Sequence, residues 1–575
     1  TVGSPEKMTV KGVVVDKETG ETMIGVSIRV LGTDVITVTD IDGAYSLTLP
    51  KGRYKVVFTY IGYEKLEREL DASHTESFKK VVMAPASKTM NEVVVTGIYQ
   101  RKKESFTGSA ATFEGPELKK IGVQNVLQSL KTLDPSFKIA DNIQFGSDPN
   151  RMPDIEIRGK SSIMGLKEEY GTDPNQPLFI LDGFETDLQT VSDLNMNRVA
   201  SVTILKDAAS TAIYGSKAAN GVVVIETVKP EKGRLRLSYK GDFSLTKADL
   251  TDYNLMNAAE KLEAERLANC FVDNEGEHKF QDFYNKKLYN VKNGVDTYWL
   301  SKPLQTSFNM NHSLYVDGGS DKLRFGVELS LNKNDGVMKG SKRDVWGAGA
   351  YIQYTIGNLV VRNHFTYDVN SSKDSPYGSF SDYTTQLPYD VYENENGEYM
   401  KELTRWGNRT VTYNPLYEAT LGSYSKSSYE QVINNLSAQW NISKYLLFKS
   451  TLGLTRQFSN SENFLDPNSM KNDPILSNTN LSAGTLATGS GDSFVLDWQA
   501  SLAYNRFIGK HNINTSVGMN IMESKEKSLS ANYKGFPSGS LHSPNYAEEI
   551  VSKPTQSEEH SRLMGLIGLV NYSYD

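Results

Sequence analysis

The stretch Leu205–Lys229, LKDAASTAIYGSKAANGVVVIETVK, separates two different kinds of sequence. Asp207 lies where a helix N-cap would accept free backbone N–H groups, and Ala208–Tyr214 are mostly good helix formers. Gly215 supplies a left-handed helix stop, and Val222–Ile225 has the composition of a buried strand. The pattern predicts a strand, a short helix, a turn and a second strand that together close a small domain.

Two details of this stretch imitate chemistry. Gly215-Ser216-Lys217 resembles part of a phosphate loop, but that loop needs an earlier glycine before a Gly-Lys-Ser/Thr run, and the order here does not fit. Lys206-Asp207 imitates a catalytic pair, although opposite charges at a helix start are usually structural. Asn220-Gly221 is a turn signal. We therefore interpret all three as backbone-shaping positions.

Composition limits the classes of protein that remain. The 575 residues include 62 basic and 69 acidic side chains, which predicts several domains and no nucleic-acid partner. One cysteine and seven histidines exclude a disulfide framework and disfavour a zinc site, and no cofactor is expected. A run of about 18 apolar residues, as a membrane helix needs, is missing. Thr1 begins no signal peptide, which leaves a processed chain or a cytoplasmic one.

Residues 1–83 read as short strands joined by turns, which predicts a β-sandwich. The predicted strands are Val10–Val15, Met23–Val30, Tyr45–Leu49 and Tyr54–Tyr60. Asp40-x-Asp42-Gly43 imitates a calcium loop but lacks the later ligands, so a plain turn is favoured. The segments GVVVDKETGETMIGVSIRV (12–30) and TDIDGAYSL (39–47) resemble the carboxypeptidase-regulatory-like, transthyretin-like domain. The resemblance implies a structural or interaction module.

Residues 84–97 read as a linker, followed by an extended segment. Ala84–Asn91 is polar, and Glu92–Gly97 (EVVVTG) is β-rich. The segment is either one more strand of the sandwich or an extended peptide that adds a strand to a partner's sheet edge.

Residues 98–230 mix helices and strands. Glu117–Leu133 is predicted as one helix with an apolar side, and Asp154–Gly159 as a strand that ends in a turn. Pro177–Gly183 is predicted as a strand that ends at the hairpin signal Asp182-Gly183.

Residues 231–575 alternate apolar and polar side chains with a period of two. The pattern occurs at Leu235, Leu237, Tyr239, Phe243 and Leu245, and again around Val327, Trp346, Trp440, Trp498 and Val570. Short turns are predicted at Asp317–Asp321, Ile356–Asn358, Ser443–Tyr445 and Phe507–Lys510. Long loops are predicted at Thr246–Leu304, Asn332–Asp344, Asn370–Glu430, Ser459–Ser493 and Ser524–His560. A soluble sandwich also alternates, but short turns at one end and long loops at the other are typical of an outer-membrane β-barrel.

The number of strands can be compared with the size of the domain before them. About ten strands are visible, and ten would close at a diameter of about 20 Å. A compact domain of the size of residues 98–230 is about 35 Å across. About 22 strands would give about 44 Å, which is enough to enclose it. We therefore expect a mainly β protein whose complete barrel has about 22 strands, with an α+β domain in the lumen and only the first ten strands in this chain.

The sequences PLFILDGF (177–184) and Leu205–Lys229 resemble the plug signatures of the SusC/RagA family of TonB-dependent outer-membrane transporters. The matching plug positions are Leu181, Asp182, Gly183, Lys206, Asp207, Tyr214, Gly215, Asn220 and Gly221. The family's TonB box falls at Glu92, Val93, Val94, Val95, Thr96 and Gly97. The resemblance implies a Gram-negative outer-membrane protein, embedded in lipid, with a periplasmic N-terminal domain.

The same resemblance implies a mechanism and partners. TonB and its inner-membrane energising proteins would pull on the box, and a SusD-like surface lipoprotein would act as a lid. The substrate would be an oligosaccharide or, alternatively, an oligopeptide. A non-transporting surface barrel or adhesin is the other class, and it would need neither plug nor box.

Some loop residues are candidates for substrate contact. Tyr389, Tyr392, Trp406 and Tyr413 could stack on sugar rings, or pack within the loop or against the lid. Met256–Leu267 is predicted as a loop helix. No nucleophile, base and acid have a supporting spacing, and Cys270 is a lone thiol, so no enzyme is expected.

Overall fold

The computed structural model describes residues 7–17, 22–23, 25–40, 42–60, 63, 65–71, 80–84, 93–95, 100–102, 109–122, 125–139, 148–157, 175–207, 211, 214, 217–272, 280–406, 410–443, 445–473, 483–508 and 511–574. The chain forms two compact units, Thr1–Val95 with Gln100–Phe106, and Thr96–Tyr99 with Thr107–Asp575. Each unit is described by itself.

The first unit is the predicted β-sandwich. One sheet has the order Ala44–Pro50, Lys7–Asp16 and Lys80–Met83, and the other has the order Ile36–Val38, Ser27–Val30, Arg53–Thr59 and Leu66–Asp71. Alternate side chains such as Ile28, Leu47 and Phe58 form a buried core between the sheets. The carboxylate of Asp40 accepts hydrogen bonds from the backbone N–H groups of Asp42 and Ala44, which is the geometry of an Asx turn.

The middle domain, predicted as residues 98–230, is built on a five-stranded sheet. Its order is Ala110–Glu114, Val199–Leu205, Val222–Thr227, Leu178–Leu181 and Phe184–Thr186. A two-stranded sheet, Phe137–Ile139 with Ile155–Ile157, and the helices Gly115–Ile121, Val126–Leu133 and Leu188–Asp193 accompany it. Their apolar side chains form one buried core. The run Val222–Ile225 is buried as predicted and lies at the centre of the main sheet.

The prediction of one helix over Glu117–Leu133 is wrong, because the structure has two. The first ends at Ile121, and Gly122 continues in an extended conformation with a φ of −168°. The second helix begins after Asn125, whose side chain accepts a hydrogen bond from the backbone N–H of Leu127. A glycine followed by a good N-cap residue outweighs a continuous apolar face.

Gly221 offers a test of the middle domain. Its φ is +93°, and a Cβ there would lie 3.0 Å from Ile157 Cδ1 and 3.1 Å from the Leu205 carbonyl oxygen. We expect Gly221→Ala to destabilise this domain by about 1–3 kcal/mol, measured by hydrogen exchange of its backbone amides. Gly294→Ala is the control, since Gly294 also has a positive φ but no atom within 4 Å. Equal effects of the two substitutions on this domain would contradict the steric explanation.

The third region forms one antiparallel sheet in which consecutive strands are neighbours. In the described residues it contains ten long strands and the short strand Glu549–Ile550. The long strands are Gly233–Thr246, Ser307–Gly319, Leu323–Asp335, Lys342–Ile356, Leu359–Lys373, Tyr424–Asn441, Leu446–Leu465, Thr485–Ile508, His511–Lys534 and Thr555–Tyr574. The sheet is a partial barrel.

The predicted alternation is confirmed. Leu235 and Leu566 are 68% and 75% exposed and point away from the middle domain, whereas Arg343 and Gln431 are buried against it. Four of the five long loops, however, are shorter than predicted because the strands continue past the apolar residues, whereas the first, 247–306, has about its predicted length. The link predicted as Asn332–Asp344 contains only residues 336–341, and the strands Thr485–Ile508 and His511–Lys534 have 24 residues each. About 9–11 residues are enough to cross the bilayer core.

The remaining links on the long-loop side are residues 247–306, 374–423, 466–484 and 535–554, and we call the described parts of these links the loop canopy. Its described helices are Ala258–Leu267, Gln281–Lys292, Phe380–Thr384 and Pro415–Glu418, and Glu402–Trp406 pairs with Thr410–Tyr413. The predicted loop helix is confirmed, and it begins at Ala258 with a capping box between Asn257 and Glu260. In the described part of the chain, no helix has the length and hydropathy needed to span a bilayer.

Candidate functional site

The middle domain meets the barrel wall along a polar seam, and its first part surrounds Asp182. Asp182 and Gly183 have φ values of 51° and 93° and form the tight turn after Leu178–Leu181. The Asp182 carboxylate accepts hydrogen bonds from Thr227 N at 2.9 Å and Thr227 Oγ1 at 2.7 Å. Burial raises the pKa of Asp182, but His364 of the barrel and Thr227 lower it more, so the pKa lies below its usual value.

Two arginines form the ionic part of the seam. Arg198, at the end of the short helix Met196–Arg198, places Nε 2.8 Å from Glu328 Oε1 and Nη1 3.4 Å from Asp368 Oδ1 of the barrel. In the opposite sense, Arg343 of the barrel donates two hydrogen bonds of 2.6 Å to Asp193. The middle domain and the barrel therefore each contribute both a cation and an anion to the seam. None of the five side chains is more than 16% exposed.

Hydrogen bonds donated by asparagine side chains extend the seam. Asn195 Nδ2 donates to Asn332 Oδ1 at 2.6 Å, and Asn197 Nδ2 donates to Asp242 Oδ2 at 2.7 Å. A cavity of about 30 Å³ lies beside the ionic part and is lined by Asp182, His364 and Asp368 among others. It has the volume of about one water molecule. The middle domain is thus attached to the wall by polar contacts, although its own core is apolar.

The other signature positions have local contacts. Burial raises the pKa of Asp134, but Lys206, whose Nζ lies 2.7 Å away, and Ser136 together lower it more, so the pKa lies below its usual value. Asp207 accepts a hydrogen bond from Ser109 N at 2.6 Å, and Lys217 pairs with Glu185 at 2.9 Å. Leu181 packs against the core of the domain, burial raises the pKa of Tyr214, and Asn220 lies in a turn. Gly215 lies outside the described residues.

The box-like segment is described only in part. Val93–Val95 is a strand, and it pairs with Gln100–Lys102 in an antiparallel register, Val93 opposite Lys102 and Val95 opposite Gln100. Glu92, Thr96 and Gly97 lie outside the described residues. The extended conformation predicted for the segment is therefore present in its central three residues.

The predicted loop aromatics lie inside the canopy. Tyr389 is 2% exposed and donates a hydrogen bond to Glu265 Oε2 at 2.6 Å, while Tyr392 packs edge-on against Trp299. Tyr413 lies beside Lys471 Nζ, and burial raises its pKa to about 12. These are contacts of the loop-packing alternative. The side chain of Trp406 lies outside the described residues.

Sequence reasoning missed the ionic seam. Arg198, Asp193, Arg343, Glu328 and Asp368 all occupy positions that the period-two pattern or the helix pattern marks as polar, like many others. Only the assembled barrel shows which of them face a partner. Arg198 gave one weak signal, since it directly precedes the buried strand Val199–Leu205.

Comparison with known proteins gives the class. Residues 10–95 match the model of the CarboxypepD_reg-like domain, and residues 102–222 match that of the TonB-dependent Receptor Plug Domain. With the partial barrel around the second match, these domains make the chain similar to the TonB-dependent receptors of the outer membrane. Within this class the chain is SusC-like.

The relatives support that assignment. The TonB-dependent receptor SusC of Bacteroides thetaiotaomicron is 31% identical over 346 residues, which are 58% of this chain and 31% of SusC. The TonB-dependent receptor P3 of Formosa agariphila is 24% identical over 99% of this chain and 53% of its own length. The chain thus spans about a third to a half of these relatives. The RagAB peptide importer in its open-open state has a similar fold, with a TM-score of 0.67 and 22% identity over 84% of this chain and 55% of that chain.

Proposed function

We propose that this chain takes part in TonB-dependent active import of nutrient oligomers across the outer membrane. The observation that carries the proposal is the polar seam between the plug and the barrel wall. An importer needs a plug that obstructs the lumen at rest and yields when it is pulled. A plug without transport would need only the first property.

The chemistry of the seam suits a part that moves. Water can satisfy Arg198, Asp193 and Asn195 when the plug shifts away from the wall, whereas exposure of its apolar core would have no such compensation. The plug can therefore be displaced or remodelled at the seam while most of its core stays packed. The hydrogen bonds from Asn195 and Asn197 would hold the resting plug in one position against the wall.

The force would act through Glu92–Gly97. In this proposal the N-terminal domain lies in the periplasm, and TonB pairs with the box by strand addition, driven by inner-membrane proteins. An extended segment is suited to this because its backbone groups form the new ladder. The described pairing of Val93–Val95 with Gln100–Lys102 leaves one edge of the valine strand for a partner.

A SusD-like surface lipoprotein would cover the barrel as a lid. The substrate is an oligosaccharide in the favoured version, as the resemblance to the SusC/RagA family implies, and an oligopeptide in the alternative, since the RagAB structure of similar fold is a peptide importer. A surface adhesin is the third possibility, and neither a plug nor a box would serve it. We expect no enzymatic activity.

Val94→Pro in the full-length receptor tests the energised mechanism. Proline removes a backbone donor and is poorly accommodated within a paired strand, so we expect growth on the imported nutrient to fall to that of cells without the receptor. Val94→Thr is the matched control because it keeps the backbone donor and the β-branched shape. Surface labelling with antibody should show equal receptor levels. Uptake that survives Val94→Pro would refute the TonB-driven mechanism, whereas no uptake by the unchanged receptor would favour the non-transporting adhesin.

A further inference from the structure

A second concave site lies in the loop canopy, away from the plug. It is a cavity of about 420 Å³, bounded by the residues before Ala258–Leu267, those after Gln281–Lys292, and those around Phe380–Thr384. Ligand sites for small molecules typically have volumes of about 300–1,000 Å³. The cavity is therefore large enough for a bound molecule, and it lies where molecules arrive from outside the cell.

The apolar part of the cavity is unusually exposed. Tyr298 is 45% exposed and Met256 54% exposed, and Trp299 continues the same wall below them. Trp299 itself is held in place, because its indole N–H donates to the Leu387 carbonyl at 2.9 Å. Exposed apolar side chains in a concave, polar-rimmed setting mark a binding surface.

The polar part of the cavity is largely uncharged. Gln386 Oε1 is buried and has no hydrogen-bond partner in the described structure, although its Nε2 donates to the Asp382 carbonyl at 3.0 Å. A buried acceptor without a donor costs free energy, so a ligand O–H or N–H at this position would be favourable. The two charged residues of the lining, Lys261 and Asp296, have opposite signs. The cavity therefore fits a neutral ligand.

From these features we propose that the canopy cavity binds one neutral sugar residue of an oligosaccharide. The ring carbons would lie against Tyr298, and a hydroxyl would donate to Gln386 Oε1. A peptide is less well served, because extended peptides are bound mainly through strand edges, and the described lining contains no residue of a β-strand. The site captures the oligomer outside the lumen and raises its concentration above the plug. This inference rests on the proposed function and specifies its substrate class.

The test is binding of the purified full-length receptor in detergent to an array of neutral gluco-, xylo-, manno-, galacto- and fructo-oligosaccharides, with a hexapeptide array alongside. We expect retention of at least one oligosaccharide, and about a tenfold weaker affinity for Tyr298→Ala, since the substitution removes the apolar ring surface that the ligand would cover. Tyr289→Ala is the matched control, because Tyr289 is a 69% exposed tyrosine of the same loop outside the cavity. Gln386→Leu should also weaken binding.

Three outcomes would overturn the inference: no retained oligosaccharide, retention that is equal for Tyr298→Ala and Tyr289→Ala, or peptide retention that depends on Tyr298. None of them bears on TonB, because binding in detergent needs no energised membrane. Conversely, growth that survives Val94→Pro would refute the energised transport and leave the array result standing. Equal thermal melting of the three variants and the unchanged receptor excludes a folding defect.

Discussion

Replacing Arg343 with methionine is expected to weaken the attachment of the plug to the barrel wall by about 3–5 kcal/mol. The substitution leaves the carboxylate of Asp193 buried without its cation. The two 2.6 Å hydrogen bonds from Arg343 are the shortest direct link between an arginine of the wall and the plug. The measurement is hydrogen exchange of the full-length receptor in detergent, read at the backbone amides of Leu188–Asp193. Faster exchange at these amides indicates that the plug is held less tightly against the barrel wall.

The chain provides a matched control for this prediction. Arg456 pairs with Asp492 at 3.0 Å on the same sheet, but both side chains are exposed. Arg456→Met should cost less than about 1 kcal/mol, as exposed ion pairs do. The double variant Asp193→Leu with Arg343→Met should recover most of the loss, since it removes both buried charges. If Arg343→Met and Arg456→Met had the same effect on plug exchange, the ionic seam would not hold the plug.

Replacing Lys287 with methionine is expected to have a similar effect on the loop canopy. The ammonium of Lys287 is buried, contacts Asp390, and donates to Thr404 Oγ1 at 2.6 Å. It also lies 5.3 Å from the ring centres of Phe283 and Tyr389. These contacts join the loop after the first strand to the loop after the fifth. Loss of the cation should destabilise the canopy by about 3–5 kcal/mol. We expect this as faster hydrogen exchange of the backbone amides of Gln281–Lys292.

Lys286→Met is the control, because Lys286 is the adjacent lysine and is exposed. The pH dependence gives a second readout. Burial raises the pKa of Asp390, and Lys287 opposes this effect without cancelling it. Without Lys287, a negative Asp390 has no counter-charge, so protonation as pH falls from neutral toward about 4, the ordinary pKa of a carboxyl group, should restore stability to the variant. A deficit that stayed constant over this range, or that Asp390→Asn did not relieve, would contradict the buried-pair explanation.

Local patterns predicted much of the fold. Val222–Ile225 is a central buried strand, as its composition predicts. The period-two alternation predicts the ten long strands, because successive side chains of a strand point to opposite faces of the sheet. The helix break at Gly122 was missed because an apolar face continued across it. The lengths of the four later loops were overestimated because the strands extend into water, where polar residues on both faces remove the alternating pattern that marks a strand.

The site was harder to predict than the fold. Arg343 and Gln431 are both polar, inward-facing residues, and only the position of the plug decides that one forms an ion pair and the other a neutral hydrogen bond. The loop aromatics show the same difficulty. Tyr389 and Tyr298 are both tyrosines of predicted long loops, yet Tyr389 is buried in the canopy and Tyr298 lines an open cavity. Packing between distant loops determines which of the two a ligand can reach.

The 24-residue strands have a consequence for access from outside the cell. At about 3.3 Å per residue and a tilt of about 40°, such a strand rises about 60 Å. The apolar band of an outer-membrane barrel is only about 25 Å tall, so about 35 Å remains outside the lipid. This height is close to the diameter of a small protein domain. A soluble protein of that size can approach the canopy from the side as well as from above, and can contact it without contacting the lipid.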